Sequence, residues 1–275
     1  MPNFIVGARL HDYGKGTPDE LFGKVSADGF AAVQLAYKKC VPSVKSYADV
    51  TDALVAETVA AEKAHRIQVA VLGTYVELAI NDESRLCNVA DFKSQLAVCK
   101  ALGAGCIGTE TTAMSKQPAG TTRAQAQELL CRSLAEILPA AETLGVTVGI
   151  EPVTYHSMNS AAATRHILDT MRSPNLKVIF DMSNLVSAEN VDAQDRIWYD
   201  VGALLGDQIV AVHFKGQAFA PDGSLLHTSL EESRTDYAGA FAMLRQLPQP
   251  ALPVLREEAV PARAASDIAF MKGFF

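Results

Sequence analysis

The chain is 275 residues long, 49% apolar and 20% charged, with a formal net charge of -7. That length suits one α/β barrel with a full core, and an acidic balance without clustered Lys and Arg argues against nucleic acid as a partner. No linker, low-complexity run or stretch near the ~18 apolar residues of a membrane span interrupts the chain, and its start, MPNFIVGARLHDYG, lacks a basic region followed by an apolar run. The expectation is a single catalytic domain over 1–275, cytoplasmic and without membrane contact.

Short β-rich runs alternate with helical patterns along the whole chain. In order they are FIVGA (4–8), FAAVQL (30–35), IQVAVLG (67–73), GCIGT (105–109), VTVGIE (146–151), LKVIFD (176–181), IVAVHF (209–214) and LPVLRE (252–257). The runs are nearly continuous in apolar residues, as strands covered on both faces must be, and Ala- and Leu-rich helical stretches separate them. Eight such units predict a closed (β/α)8 TIM barrel. The competing doubly wound sheet would carry a Gly-rich phosphate loop after its first strand, and GARLHDYGKG does not match GxGxxG.

Punctuation agrees with this reading. Thr17-Pro18-Asp19-Glu20 offers an N-cap, a proline at the first helical position and an acid at the third, so a helix starts there. Gly29, Gly103 and Gly145 each follow a helical pattern and precede a strand, where a left-handed residue is needed. Cys40, Cys87, Cys99, Cys106 and Cys131 form no CxxC pair and fit buried free thiols in a reducing compartment.

Four potential ligands stand where runs end: Glu151, Asp181, His213 and Glu257, at intervals of 30, 32 and 44 residues. Each interval is about one βα unit, so the four recur at the carboxyl end of successive strands, where barrel enzymes place their chemistry. A lone acid at a strand end is more often a cap or an ion-pair partner, but four at equivalent positions reverse those odds. Two Glu, one Asp and one His form an oxygen and nitrogen donor set for one divalent ion, Mn²⁺ foremost, with Mg²⁺, Co²⁺ or Zn²⁺ as alternatives; thiolates, which would favour structural zinc, are absent. The acid pair Glu257-Glu258 leaves the last position open by one residue; alternation lets only one point inward, and the spacing from PVL favours Glu257.

GFAAVQLA (29–36), ALGAGCIGT (101–109), GIEPV (149–153), SPNLKVIFDMSNLV (173–186), VAVHFKG (210–216) and PVLREE (253–258) resemble the xylose isomerase-like superfamily of sugar-phosphate isomerases and epimerases. Its members include tagatose and psicose 3-epimerases, hydroxypyruvate isomerase, inosose dehydratase and endonuclease IV. The resemblance implies that Glu151, Asp181, His213 and Glu257 hold one divalent ion. It also implies that Glu151 and Glu257 exchange a proton next to a carbonyl through a metal-stabilised enediolate. The implied partner is a small sugar, ketosugar or sugar acid, and barrels of this class assemble as homo-oligomers, dimers or tetramers.

Where many such epimerases have a His three residues after the sixth-strand Asp, this chain has Asn184, which hydrogen-bonds a hydroxyl but does not titrate near neutral pH. Other mouth candidates for substrate contact are His11, Tyr75 with Glu77, and Lys215; a solvated loop His, ordinary aromatic packing and a solvated Lys are their plain readings. His156 fits a supporting place behind the ligands or a helix start, and His65, His166 and His227 carry no functional assignment. The alternative chemistry is a lyase of the inosose dehydratase or ketosugar-cleaving type on the same site. A repair endonuclease is disfavoured by the low His count and the acidic charge, and a silent binding barrel by the retention of three acids that are costly to bury without a cation.

Overall fold

The computed structural model describes all 275 residues. Its centre is a closed, all-parallel barrel of eight strands: β1 (Asn3–Arg9), β2 (Ala32–Leu35), β3 (Gln68–Gly73), β4 (Cys106–Glu110), β5 (Val148–Glu151), β6 (Leu176–Asp181), β7 (Ile209–Phe214) and β10 (Ala251–Arg256). Between β7 and β10 the chain adds an antiparallel hairpin, β8 (Gly216–Phe219) and β9 (Leu225–Thr228), which the sequence reading did not anticipate. The turn follows from Pro221-Asp222-Gly223-Ser224: Gly223 takes a φ of 82° and Asp222 accepts from the Ser224 amide at 3.0 Å.

Local chemistry sets where the helices begin. α1 (Pro18–Ala27) opens with the expected box: Thr17 accepts from the Glu20 amide at 3.3 Å and Glu20 accepts from the Thr17 amide at 2.9 Å. Thr51, Thr122, Ser160 and Asp236 likewise cap α3 (Asp52–His65), α5 (Arg123–Leu144), α6 (Ala161–Met171) and α8 (Tyr237–Leu244). Each such cap is worth about 1 kcal/mol. The remaining helices are α2 (Tyr37–Cys40), α4 (Ser84–Leu102), α7 (Gln194–Leu205) and α9 (Ala264–Lys272).

Gly103 and Gly145 end α4 and α5 in the left-handed conformation, as the sequence predicts, whereas Gly29, φ 96°, lies one residue past the α1 cap. The helix exits explain two boundary shifts. The amides of Phe30 and Val146 bond back to the carbonyls of Val25 and Ala141, so these residues close helices and the strands start later.

α5 shows how the layers adhere. Leu130, Leu134, Ile137, Leu138 and Ala141 recur at helical spacing and are all buried in the main core between sheet and helices. Inside the barrel a second, smaller cluster contains Ala32, Ala70, Val71, Cys106, Ile179, Ala211 and Leu255. Ile179 fills this space so closely that a Cβ on Gly108 or Gly149 would stand 2.4 or 2.8 Å from it. Burial of such a side chain contributes roughly 1.5–3 kcal/mol. Of the cysteines, all free, Cys40, Cys99 and Cys106 are buried as expected, Cys131 is half-buried and Cys87 is exposed. No helix is long and apolar enough to cross a membrane.

Candidate metal centre

Register brings the strand-end residues level. Asp181 on β6 is the Cα partner of His213 on β7, and Glu110 on β4 is the partner of Glu151 on β5. Glu257 follows directly after β10. It is buried, whereas Glu258 is exposed with φ 55° and turns to Arg9 at 2.8 Å. Alternation thus puts Glu257 on the inner side of the mouth.

The four residues converge. His213 Nδ1 lies 3.1 Å from Glu151 Oε2 and 3.5 Å from Glu257 Oε1. Ligand atoms of Glu151, Asp181 and His213 all stand within 4.8 Å of one another, while Glu257 joins this trio through its contact with His213. Asp181 is fully buried and its Oδ1 accepts the backbone amides of Ser183 and Asn184 at 2.7 and 2.9 Å, which fixes the carboxylate in the turn after β6. His213 Nε2 is buried without a hydrogen-bond partner, and the only close partner of Asp181 Oδ2 is the Lys215 ammonium. Buried polar atoms are rarely left so, and oxygen and nitrogen donors facing one point fit a divalent cation.

The charges around this point are strongly coupled. Burial lifts the Glu151 carboxyl above its ordinary range against the opposing pull of His213. For Glu257 burial pushes the same way, but His213, Lys215 and Arg9 outweigh it and hold the carboxyl down to about 2. His213 is held up to about 9, its burial offset by Glu257 and Glu151. Lys215, also buried, sits 2.8 Å from Asp181 Oδ2 and 3.7 Å from Glu257 Oε2; these acids raise its pKa despite burial, so it remains an ammonium.

Asn184 lies in the turn beside Asp181 and donates its side-chain amide to Glu151 Oε1 at 2.6 Å. Tyr75, half-buried with φ 53°, stands over the mouth from the loop after β3. Its hydroxyl accepts from Gln34 Nε2 at 2.8 Å, its ring meets His11 edge-on at 5.7 Å, and the Lys39 ammonium lies 3.2 Å from the ring centre. His11, half-buried, is lowered to about 4 by burial and the Arg9 charge. His156 is buried beyond β5 with its Nε2 3.8 Å from Glu110, and Glu77 pairs with Lys116 at the surface. His65 binds Asp19 at 2.8 Å and His227 is exposed on the hairpin.

Sequence reasoning missed Glu110, Arg9 and Gln34. Glu110 lines the mouth with Glu151, His213 and Glu257, and burial together with the Glu151 charge raises its carboxyl to about 7. The signal was present, since GCIGT is followed at once by an acid, as the fifth and sixth runs are closed by one. Arg9 ends β1, donates to Asp12 at 2.7 Å and lies 3.9 Å from Glu257.

The innermost space of the mouth is about 10 Å³, room for a single small ion or water. Two larger cavities open beside it. One, about 480 Å³, shares Tyr75, Thr109 and Glu110 with the mouth; the other, about 550 Å³, includes Asn184 and the hairpin, and Tyr155 lines both. The arrangement offers a cation site, two carboxylates and space for a small organic substrate.

Comparison with known proteins agrees with the fold. A family model described as a xylose isomerase-like TIM barrel matches residues 22–273. No functionally curated protein matches the sequence. Among solved structures, the 3-keto-D-glucoside 4-epimerase YcjR from E. coli is 17% identical and superposes with a TM-score of 0.72 over 98% of this chain and all of its own. A D-psicose 3-epimerase crystallised with D-fructose is 16% identical, TM-score 0.71, covering 100% of this chain and 98% of that one. The IOLI protein with a bound zinc atom is 16% identical, TM-score 0.74, covering 100% and 96%. At these identities the likeness is one of fold.

Proposed function

The chain belongs to the xylose isomerase-like TIM-barrel family, and from that premise we propose that it is a divalent-metal-dependent isomerase or epimerase of a sugar, ketosugar or sugar acid. The observation that carries this reading is the buried convergence of Glu151, Asp181 and His213, with Glu257 against His213, at the carboxyl ends of β5, β6, β7 and β10. Epimerases among the fold neighbours support it.

Glu151, Asp181, His213 and Glu257 would hold the ion. Mn²⁺ suits their mixed oxygen and nitrogen donors, and the zinc of the IOLI structure keeps Zn²⁺ as an alternative. A bound divalent ion supplies Lewis-acid polarisation of a substrate carbonyl.

The chain's own residues supply the proton transfer. Glu151 and Glu257 remove and return a proton at the carbon next to that carbonyl, one acting as base and the other as acid. Asn184 aims the Glu151 carboxylate through its amide. Lys215 supplies fixed positive charge facing developing negative charge in a site largely closed to water. His11 and Tyr75 contact substrate hydroxyls and cover the mouth. We further place the protein in the cytoplasm, as one catalytic domain over 1–275 that works as a homo-oligomer.

The test is ¹H NMR of the Mn²⁺-loaded protein with ketoses, 3-ketosugars and inososes in D₂O. Deuterium entering next to the carbonyl, and lost in Glu151→Gln, is the expected result. A conjugated enone would reassign the site to elimination. No exchange with any of these despite stoichiometric metal binding would overturn the reading.

A further inference from the structure

The cavity of about 550 Å³ shares no lining residue with the mouth, whereas the one of about 480 Å³ shares Tyr75, Thr109 and Glu110 with it. The larger cavity is built from three segments on the same face of the barrel: the loop after β5, the turn and loop after β6, and the β8–β9 hairpin. Asn184 lies on its wall and donates to Glu151 at 2.6 Å, so the cavity begins one side chain from the proposed proton-transfer carboxylate. Tyr155, largely exposed, stands between it and the cavity that holds Tyr75 and Glu110.

The lining sets the chemistry of an occupant. None of the 15 lining residues is Lys, Arg or His, and Glu189 is the single charged one, so a phosphate or carboxylate would find no counter-charge there. Amide and hydroxyl groups stand beside Tyr155, Phe219 and Leu225. Gln217 and Asn190 are committed to neighbouring backbone carbonyls, Gln217 to Ser183 and Val186 and Asn190 to Leu185, and so build the wall. Asn159 and Tyr155 donate to no other group of the chain, which leaves them for a ligand. Polar side chains that fix orientation around an apolar or aromatic face are the usual recipe for a neutral, hydroxylated ring.

We propose that this cavity is a second subsite, which takes an uncharged ring glycosidically linked to the reacting sugar, so that the preferred substrate is a neutral glycoside and not a free or phosphorylated monosaccharide. The inference rests on the proton-transfer reading above for the position of the reacting ring. Phe219 and Leu225 belong to the hairpin, so the insertion after β7 supplies the far wall of the subsite.

The test is calorimetric binding to the Mn²⁺-loaded protein. The probes are methyl β-D-glucoside, methyl β-D-galactoside, cellobiose, lactose and phenyl β-D-glucoside, with glucose 6-phosphate for comparison. Two-ring probes should bind at least about tenfold more tightly than the methyl glycosides. Ala188→Trp, which fills the cavity from its loop, should abolish that advantage while Mn²⁺ and methyl glycoside affinities stay within twofold, and Asn159→Ala should weaken it with an unchanged melting temperature. Equal affinity for one-ring and two-ring probes, tighter binding of the phosphorylated sugar, or an advantage untouched by both variants would overturn the subsite. Exchange that survives Glu151→Gln while the two-ring advantage persists would sink the proton-transfer reading and leave the subsite standing.

Discussion

Asn184, in the turn after β6, donates its side-chain amide to Glu151 at the end of β5, 2.6 Å away. The bond joins two strand ends and fixes which way a buried carboxylate points. A donor at this distance favours the ionised form of Glu151 against the burial that disfavours it.

Asn184→Ala should therefore slow deuterium exchange about tenfold, and Asn184→Asp, which sets a second negative charge against Glu151, about a hundredfold. Exchange rates by ¹H NMR on the best substrate would check both. An Asn184→Asp enzyme at full speed would remove Asn184 from any part in holding Glu151.

Asp181→Asn and His213→Ala should each weaken Mn²⁺ binding by at least about tenfold, as loss of a supporting group alone has that effect. Glu258→Gln should leave it unchanged, because Glu258 faces Arg9 and not the cluster. Calorimetric titration decides between them. In the wild type, Mn²⁺ at about 100 times its Kd should stabilise the fold by about 2.7 kcal/mol through mass action, readable as a higher melting temperature.

His156 is buried, and burial together with the Lys116 charge holds it down to about 4 from an ordinary 6.5. Between those values the unfolded chain binds more protons than the folded protein, so stability falls as pH drops from 6.5 towards 4. His156→Asn should keep up to about 3 kcal/mol more of its stability over that window than the wild type does. Urea denaturation at several pH values supplies the comparison. Parallel pH curves for the two proteins would contradict the assignment.

Arg9 is largely buried among Asp12, Glu258 and Glu257. Removal of the cation leaves carboxylates facing one another, so Arg9→Met should destabilise the protein by about 3 kcal/mol. The double variant Arg9→Met with Glu258→Gln should recover part of that loss. Chemical denaturation of the wild type, both single variants and the double variant measures it, and additive losses would show that the pair is not coupled.

The eight barrel strands could be read because each is a short apolar run covered on both faces, and the convergence of Glu151, Asp181, His213 and Glu257 because they recur at one level of a repeating unit. Long-range pairing was not legible. Arg9 follows an apolar run and looks like a solvated strand end until β10 brings Glu257 and Glu258 beside it. Lys215 reads as a surface lysine until β6 and β7 align and set it against Asp181. The hairpin was legible in part, through Pro221-Asp222-Gly223, but its strands are only 4 residues each and carry no clear alternation. Glu110 was missed because the fourth run was ended one residue early.

The barrel closes where β10 enters between β1 and β7, and the Asp12 carboxylate accepts from the Ala259 amide across 247 residues of chain. A contact of such separation carries a loop-closure cost, which grows only slowly with length. Until β10 arrives, β1 and β7 are open sheet edges prone to pairing with other chains. The strand that covers those edges also delivers Glu257, the partner of Glu151 in the proposed reaction. Protection of the sheet edges and completion of the proposed acid/base pair thereby depend on the same strand.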